Sequence, residues 1–133
     1  MELAVLRDPP PFRFGPITRH DLVRYAGASG DFNPLHYDDE FARSAGLAGV
    51  MAHGMFSAGL LGSFLVSWVE DRHVRRFRLR FRSPVWPGDT LQATGAVART
   101  HRAEDGAVAE LVLKLARQDG SEVVTATAEV ECP

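Results

Sequence analysis

The pattern of apolar and polar positions divides the chain into a helical first half and a stranded second half. From Phe77 onward, apolar residues fall at alternate positions in three runs. They are Phe77, Leu79 and Phe81, then Ala107, Ala109, Leu111, Leu113 and Leu115, then Val124, Ala126, Ala128 and Val130. Period-two alternation puts each set on one face of a strand. Pro87-Gly88-Asp89, Glu104-Asp105-Gly106 and Asp119-Gly120-Ser121 supply turns between the runs, so an antiparallel meander with one wet face is expected. Upstream, residues 54–69 read GMFSAGLLGSFLVSWV and carry no charge. Such a stretch is short of the roughly 20 residues that a bilayer-crossing helix needs. A helix apolar on every face is normally one buried in protein. A sheet with one apolar face and a helix apolar all round are both satisfied if the sheet wraps the helix, which makes the class α+β.

Shorter elements precede that helix. An irregular lead over residues 1–11 ends at Pro9-Pro10-Pro11, and Phe12 to Phe14 reads as a brief edge strand. Thr18 and Asp21 form a helix start, in which Thr18 accepts from a free backbone N–H and Asp21 sits at the positive end. Leu22, Tyr25 and Ala26 follow at helical spacing, and Gly27 and Gly30 end the helix. Residues 30–38, GDFNPLHYD, are not regular structure, because Gly30 permits unusual backbone angles and Asn33-Pro34 is a turn signal. Asp38 caps a short helix over about 39–45, closed by Gly46. No repeat or linker divides the chain, so residues 1–133 are read as one domain.

Composition narrows the classes. A chain of 133 residues, 45% hydrophobic and 24% charged, can build its own core. A net charge of −2 argues against a nucleic-acid binder. Cys132 is the one cysteine, which excludes an internal disulfide or CxxC pair. The opening residues lack a basic-then-apolar signal pattern, so a soluble, cytoplasmic protein with no membrane partner is expected. Of the 15 basic residues only Lys114 is a lysine, and six arginines crowd residues 72–82 with no acid between them. Arg76, Arg78, Arg80 and Arg82 share one strand face, opposite Phe77, Leu79 and Phe81. That face is either solvated and protective of an edge, or a site for phosphates or an acidic partner.

Chemistry gathers in two places. Asp31 and His36 lie five residues apart on a turn whose other residues, Phe32, Pro34 and Leu35, are apolar. A turn can bring a carboxylate and an imidazole to one side, an arrangement suited to general acid–base work; a capped turn with a surface histidine has the same spacing. His53-Gly54-Met55 opens the uncharged helix. Free N–H groups at the positive helix end and a side-chain-free Gly54 can hold a developing oxyanion there, although an ordinary helix start also looks this way. His20, His73 and His101 stand alone without metal-ligand spacing, and Ser57, Ser63 and Ser67 are read as bonding to helix carbonyls.

Three blocks together resemble the MaoC-like dehydratases, the (R)-specific enoyl-CoA hydratase or hydratase 2 family. They are Tyr25 to Asp38 (YAGASGDFNPLHYD), Ala52-His53-Gly54-Met55, and Phe81 to Asp89 (FRSPVWPGD). The resemblance implies a hot-dog fold, an antiparallel sheet around a long central helix. It implies reversible syn hydration of a trans-2-enoyl thioester, on CoA or acyl carrier protein, to the (R)-3-hydroxyacyl thioester, in fatty-acid or polyketide metabolism. Asp31 and His36 would be the acid–base pair, Gly54 the donor to the thioester carbonyl, and Asn33 and His53 site-shaping residues. Phe32, Phe41, Leu47, Met51, Phe56 and Trp86 are candidates for an acyl pocket. The resemblance implies no metal or redox cofactor, and a dimer, either of one chain or with a second hot-dog subunit. Arg76, Arg78, Arg80 and Arg82 would meet the carrier's phosphates or an acidic protein. At Gly62 some relatives carry a serine that supports the aspartate; glycine there resembles the catalytic subunits of type II fatty-acid-synthase dehydratases. A hot-dog thioesterase is the competing reading, against which the uncharged helix counts, since many of those enzymes draw a carboxylate from it.

Overall fold

A computed structural model describes residues 6–104 and 106–132. Asp105, in the expected turn before Gly106, and the first five residues of the lead lie outside them. The elements run β1 (Phe12–Phe14), α1 (Arg19–Ser29), a 3-10 turn (Pro34–His36), α2 (Asp39–Ser44), α3 (Gly54–Val69), β2 (Val74–Phe81), β3 (Leu91–Ala103), β4 (Gly106–Arg117) and β5 (Glu122–Cys132).

Local signals explain the helix ends. The Thr18 hydroxyl accepts from Asp21 N–H at 3.1 Å, and the Asp21 carboxylate accepts from Thr18 N–H at 2.8 Å. This reciprocal cap satisfies two donors that α1 would otherwise leave free. The Thr18 N–H holds the Asp21 carboxyl below its ordinary pKa. The α1 helix runs through Gly27 and stops only at Gly30, where φ is 73°. Asp38 accepts from Phe41 N–H at 3.1 Å and starts α2.

The sheet is antiparallel with strand order β1-β3-β4-β5-β2. Only β3, β4 and β5 form the expected meander. Strand β2 comes before them in sequence but lies beyond β5, and β1 lies at the other edge, beside β3. The β2 strand therefore pairs on one side only, among the described residues. The alternating sets face inward as expected: Leu111, Leu113 and Leu115 of β4 and Val124, Ala128 and Val130 of β5 are buried with Leu61, Leu65 and Val69 of α3. The sheet thus wraps α3 in the hot-dog arrangement.

The uncharged helix is not covered on every face, contrary to expectation. Met55 and Val66 are each 61% exposed, and Gly59 and Ser63 lie on the same open side. Each strand face has area for one side of a helix only, so the second apolar side of α3 is left over. No helix among the described residues is long and apolar enough to cross a membrane.

Helix α3 ends at Glu70, with φ 57° and ψ −121°. A side chain is strained in this left-handed region, whereas glycine is at ease there. Glu70→Gly is expected to raise stability by about 1 kcal/mol, seen as a higher midpoint in urea. An unchanged or lower midpoint would contradict it.

Candidate active site

The site begins where α1 is stopped. Beyond Gly30, the Asp31 Oδ1 atom accepts from Asn33 N–H at 3.2 Å, and Asp31 N–H donates to the Ser29 hydroxyl at 3.2 Å. Asn33 repeats the device, its Oδ1 accepting from Leu35 N–H at 3.1 Å as Pro34 opens the 3-10 turn. Two successive side chains folded onto the backbone make a tight turn, which carries Asp31 and His36 to one side.

A second segment orients His36. Met51 N–H donates to the Leu35 carbonyl at 3.1 Å, and the Met51 carbonyl lies 2.6 Å from His36 Nδ1. A carbonyl only accepts, so Nδ1 carries the proton and the lone pair of a neutral His36 is on Nε2. That Nε2 atom faces Asp31 Oδ2 at 4.0 Å; the His36 side chain is 11% exposed and that of Asp31 55%. At 4.0 Å the two do not bond directly, but one oxygen atom about 2.8 Å from each fits between them.

His53 closes the group from behind. Its ring stacks on His36 with centroids 3.6 Å apart and planes at 20°, and Tyr25 meets it edge-on at 4.9 Å. Its Nε2 lies 2.9 Å from the Asp31 carbonyl. Asp31, His36 and His53 offer ligand-type atoms within 4.8 Å of one another. Two nearly parallel rings do not aim their in-plane lone pairs at one ion, which would sit about 2.0–2.1 Å from each nitrogen. The stacking therefore favours proton chemistry over metal ligation.

Gly54 follows directly as the first residue of α3, whose start has no side-chain cap. Its N–H end, with the helix dipole behind it, is an electropositive point. Gly54 also lines a cleft of about 400 Å³ with Leu47, Met51, Phe81, Val85 and Trp86. The cleft wall is tied in by Ala52 N–H donating to the Val85 carbonyl at 2.8 Å. The nearly buried Asp89 accepts from Trp86 N–H at 2.8 Å and Gln118 Nε2 at 2.9 Å, which explains the polar end of the third sequence block. A Cβ built at Gly54 would meet the Phe81 ring at 3.4 Å.

Of the six acyl-pocket candidates, Leu47, Met51 and Trp86 line this cleft. Phe32 and Phe41 point largely to solvent, and Phe56 packs edge-on against Tyr25 at 5.6 Å. A Cβ at Gly62 would touch only Phe77 within 4 Å, so the fold around it has room for a larger residue but brings no Asp31 atom to it. Ser63 bonds back to the Gly59 carbonyl at 3.0 Å. The orienting carbonyl of Met51 carries no signature in the sequence, since any residue supplies one. Tyr25 stood at the head of the first block, but its packing on His53 depends on tertiary structure.

The arginines separate by cross-strand partner. Arg76 faces Glu129 on β5, with 4.0 Å between charges, and Arg82 Nε donates to the Thr125 hydroxyl at 3.3 Å. Arg78 and Arg80 face Thr127 and Thr125, and Lys114 lies across from Thr125 on its other side. Arg78, Arg80 and Lys114 have no carboxylate within 4.0 Å among the described residues. They line a broad hollow on the sheet face turned away from α3. Arg82 alone also borders the cleft at Gly54.

Comparison with known proteins agrees with this arrangement. The MaoC like domain model matches residues 7–116. The (R)-specific enoyl-CoA hydratase of Aeromonas caviae is 32% identical over 115 residues, covering 85% of this chain and 84% of that protein. The structure of the A. caviae (R)-hydratase involved in PHA biosynthesis superimposes with a TM-score of 0.83 at 28% identity, over 98% of this chain and 99% of that one. Peroxisomal multifunctional enzyme type 2 of Mus musculus is 42% identical over 67 residues, 48% of this chain, but the match spans only 9% of that much longer protein. With the family model matching most of its length and the fold shared end to end with an (R)-hydratase, the chain belongs to the MaoC-like dehydratase family.

Proposed function

We propose that this chain is a hydro-lyase that adds water reversibly to trans-2-enoyl thioesters, giving (R)-3-hydroxyacyl thioesters. The observation that carries the reading is the 4.0 Å gap between Asp31 Oδ2 and His36 Nε2, the free ends of two otherwise anchored side chains. Water held between them donates to both. The pair removes one proton as the hydroxyl adds to C3, and returns that proton to C2. Because the same pair handles both, hydroxyl and hydrogen arrive on one face, which is syn addition. Negative charge develops on the thioester oxygen meanwhile, and the N–H end of α3 at Gly54 stabilises it. The apolar cleft beside Gly54 takes the acyl chain. Asn33 and His53 shape the turn and back the ring.

The expected result is loss of enoyl-thioester absorbance when the protein is mixed with crotonyl-CoA, with (R)-3-hydroxybutyryl-CoA as product. Release of free thiol without hydration would establish a thioesterase instead. Residues 54–69 hold no Asp or Glu to serve that chemistry from the helix.

The carrier is read from the unpaired cations. Arg78 and Arg80, with no carboxylate within 4.0 Å among the described residues and one to three residues from Phe81 at the cleft, suit the phosphates of CoA or an acidic carrier protein. Arg78→Ala with Arg80→Ala is expected to raise KM several-fold on one carrier at constant kcat; unchanged KM on both carriers would remove the role. The one-sided β2 edge and the open apolar side of α3 support a dimer, with a second copy or a related subunit. Light scattering on the purified chain decides between dimer and monomer.

A further inference from the structure

We propose that His53 is the positioning residue of the pair, the ring against which His36 is stacked and from which Asp31 is hung. The proposal deepens the acid–base reading above and rests on it for the use His36 makes of its proton.

The ring ties three parts of the site together. It is 3% exposed. Its Nε2 holds the Asp31 carbonyl at 2.9 Å, its face lies 3.6 Å from His36, and its own carboxyl carbon is bonded to Gly54 nitrogen, the proposed oxyanion donor. Moving His53 therefore moves the carboxylate, the imidazole and the helix start relative to one another.

Its tautomer is also set. The Asp31 carbonyl only accepts, so Nε2 carries the hydrogen. The buried Nδ1 atom has no hydrogen-bond partner among the described residues. The bond to the Asp31 carbonyl and the stack on His36 are therefore what fix the orientation of the ring.

Two measurements test this. Nitrogen-15 spectra of the histidine side chains in the unmodified protein are expected to show His53 as the Nε2–H tautomer. A His53 that carries its proton on Nδ1 overturns the proposal. His53→Phe keeps a flat ring but loses the bond to the Asp31 carbonyl, and His53→Gln keeps a donor but loses the stack. Each is expected to lower kcat on the order of 10–100-fold with KM little changed. Wild-type kcat in both overturns the proposal; if neither variant folds, the spectra of the unmodified chain decide. Loss of the hydration reading through active Asp31 and His36 variants would leave those spectra unaffected, so the two failures are distinguishable.

Discussion

Asp31→Asn and His36→Ala are each expected to lower kcat/KM for enoyl-thioester hydration by roughly 10²–10⁴-fold, the usual range for a general acid or base. The two variants should differ in everything else. Asparagine at position 31 keeps an oxygen to accept from Asn33 N–H, so the turn survives and the melting temperature stays close to that of the parent protein. What it loses is the charge and the second acceptor facing His36. Alanine at position 36 also strips a partner from the Met51 carbonyl and uncovers the His53 ring. A part-buried carbonyl left without its donor costs about 1–3 kcal/mol, so this variant should melt at lower temperature as well as lose activity. The double variant should be little worse than the poorer single one, because a pair that handles one water acts as a unit. Crotonyl-CoA absorbance and thermal melts on all three proteins check these statements. Full activity in both single variants would remove the pair from catalysis.

The sequence announced such a pair because its turn is built from residues with local rules. Gly30, Asp31, Asn33 and Pro34 each have a preferred place in a tight turn, and the charge-free run fell on the bounds of α3 for a similarly local reason. Features set at a distance were not legible. Gly27 carried the same stop signal as Gly30, yet only Gly30 takes the left-handed angle, because the chain must turn there to reach His53. The β2 alternation showed which residues face inward but not which strand lies beside it. The fate of the arginines followed from that pairing: Arg76 meets Glu129 where Arg78 and Arg80 meet threonines. The free side of α3 was hidden for the opposite reason, since an apolar face reads alike whether its own sheet or another molecule covers it.

Gly95→Ala should damage the core by adding a single methyl group, and nothing near Gly95 in the sequence marks it. Gly95 sits inside β3 opposite Leu113, on the face turned to the helix. A Cβ there would lie 2.6 Å from Cζ3 of Trp68 and 3.1 Å from its Cε3. Glycine is used because the indole occupies the space of the missing side chain. On backbone grounds alone, replacing a strand glycine by alanine gains about 0.4–1 kcal/mol through the unfolded chain. The collision outweighs that gain, because Trp68 cannot easily retreat. Its indole N–H donates to the Arg7 carbonyl at 2.7 Å, and Phe64 lies against it with ring centres 6.3 Å apart. Swinging the ring away loses that bond, worth about 1 kcal/mol, and overpacking the core adds about 1–3 kcal/mol. The net loss of about 1–3 kcal/mol should lower the melting temperature by roughly 5–10 °C. Trp68→Phe in the Gly95→Ala background provides the control. If the indole is the obstacle, the two changes together should cost less than the sum of each alone. A Gly95→Ala protein that melts with the parent, or strictly additive losses, would mean that Trp68 does not fill the space over Gly95.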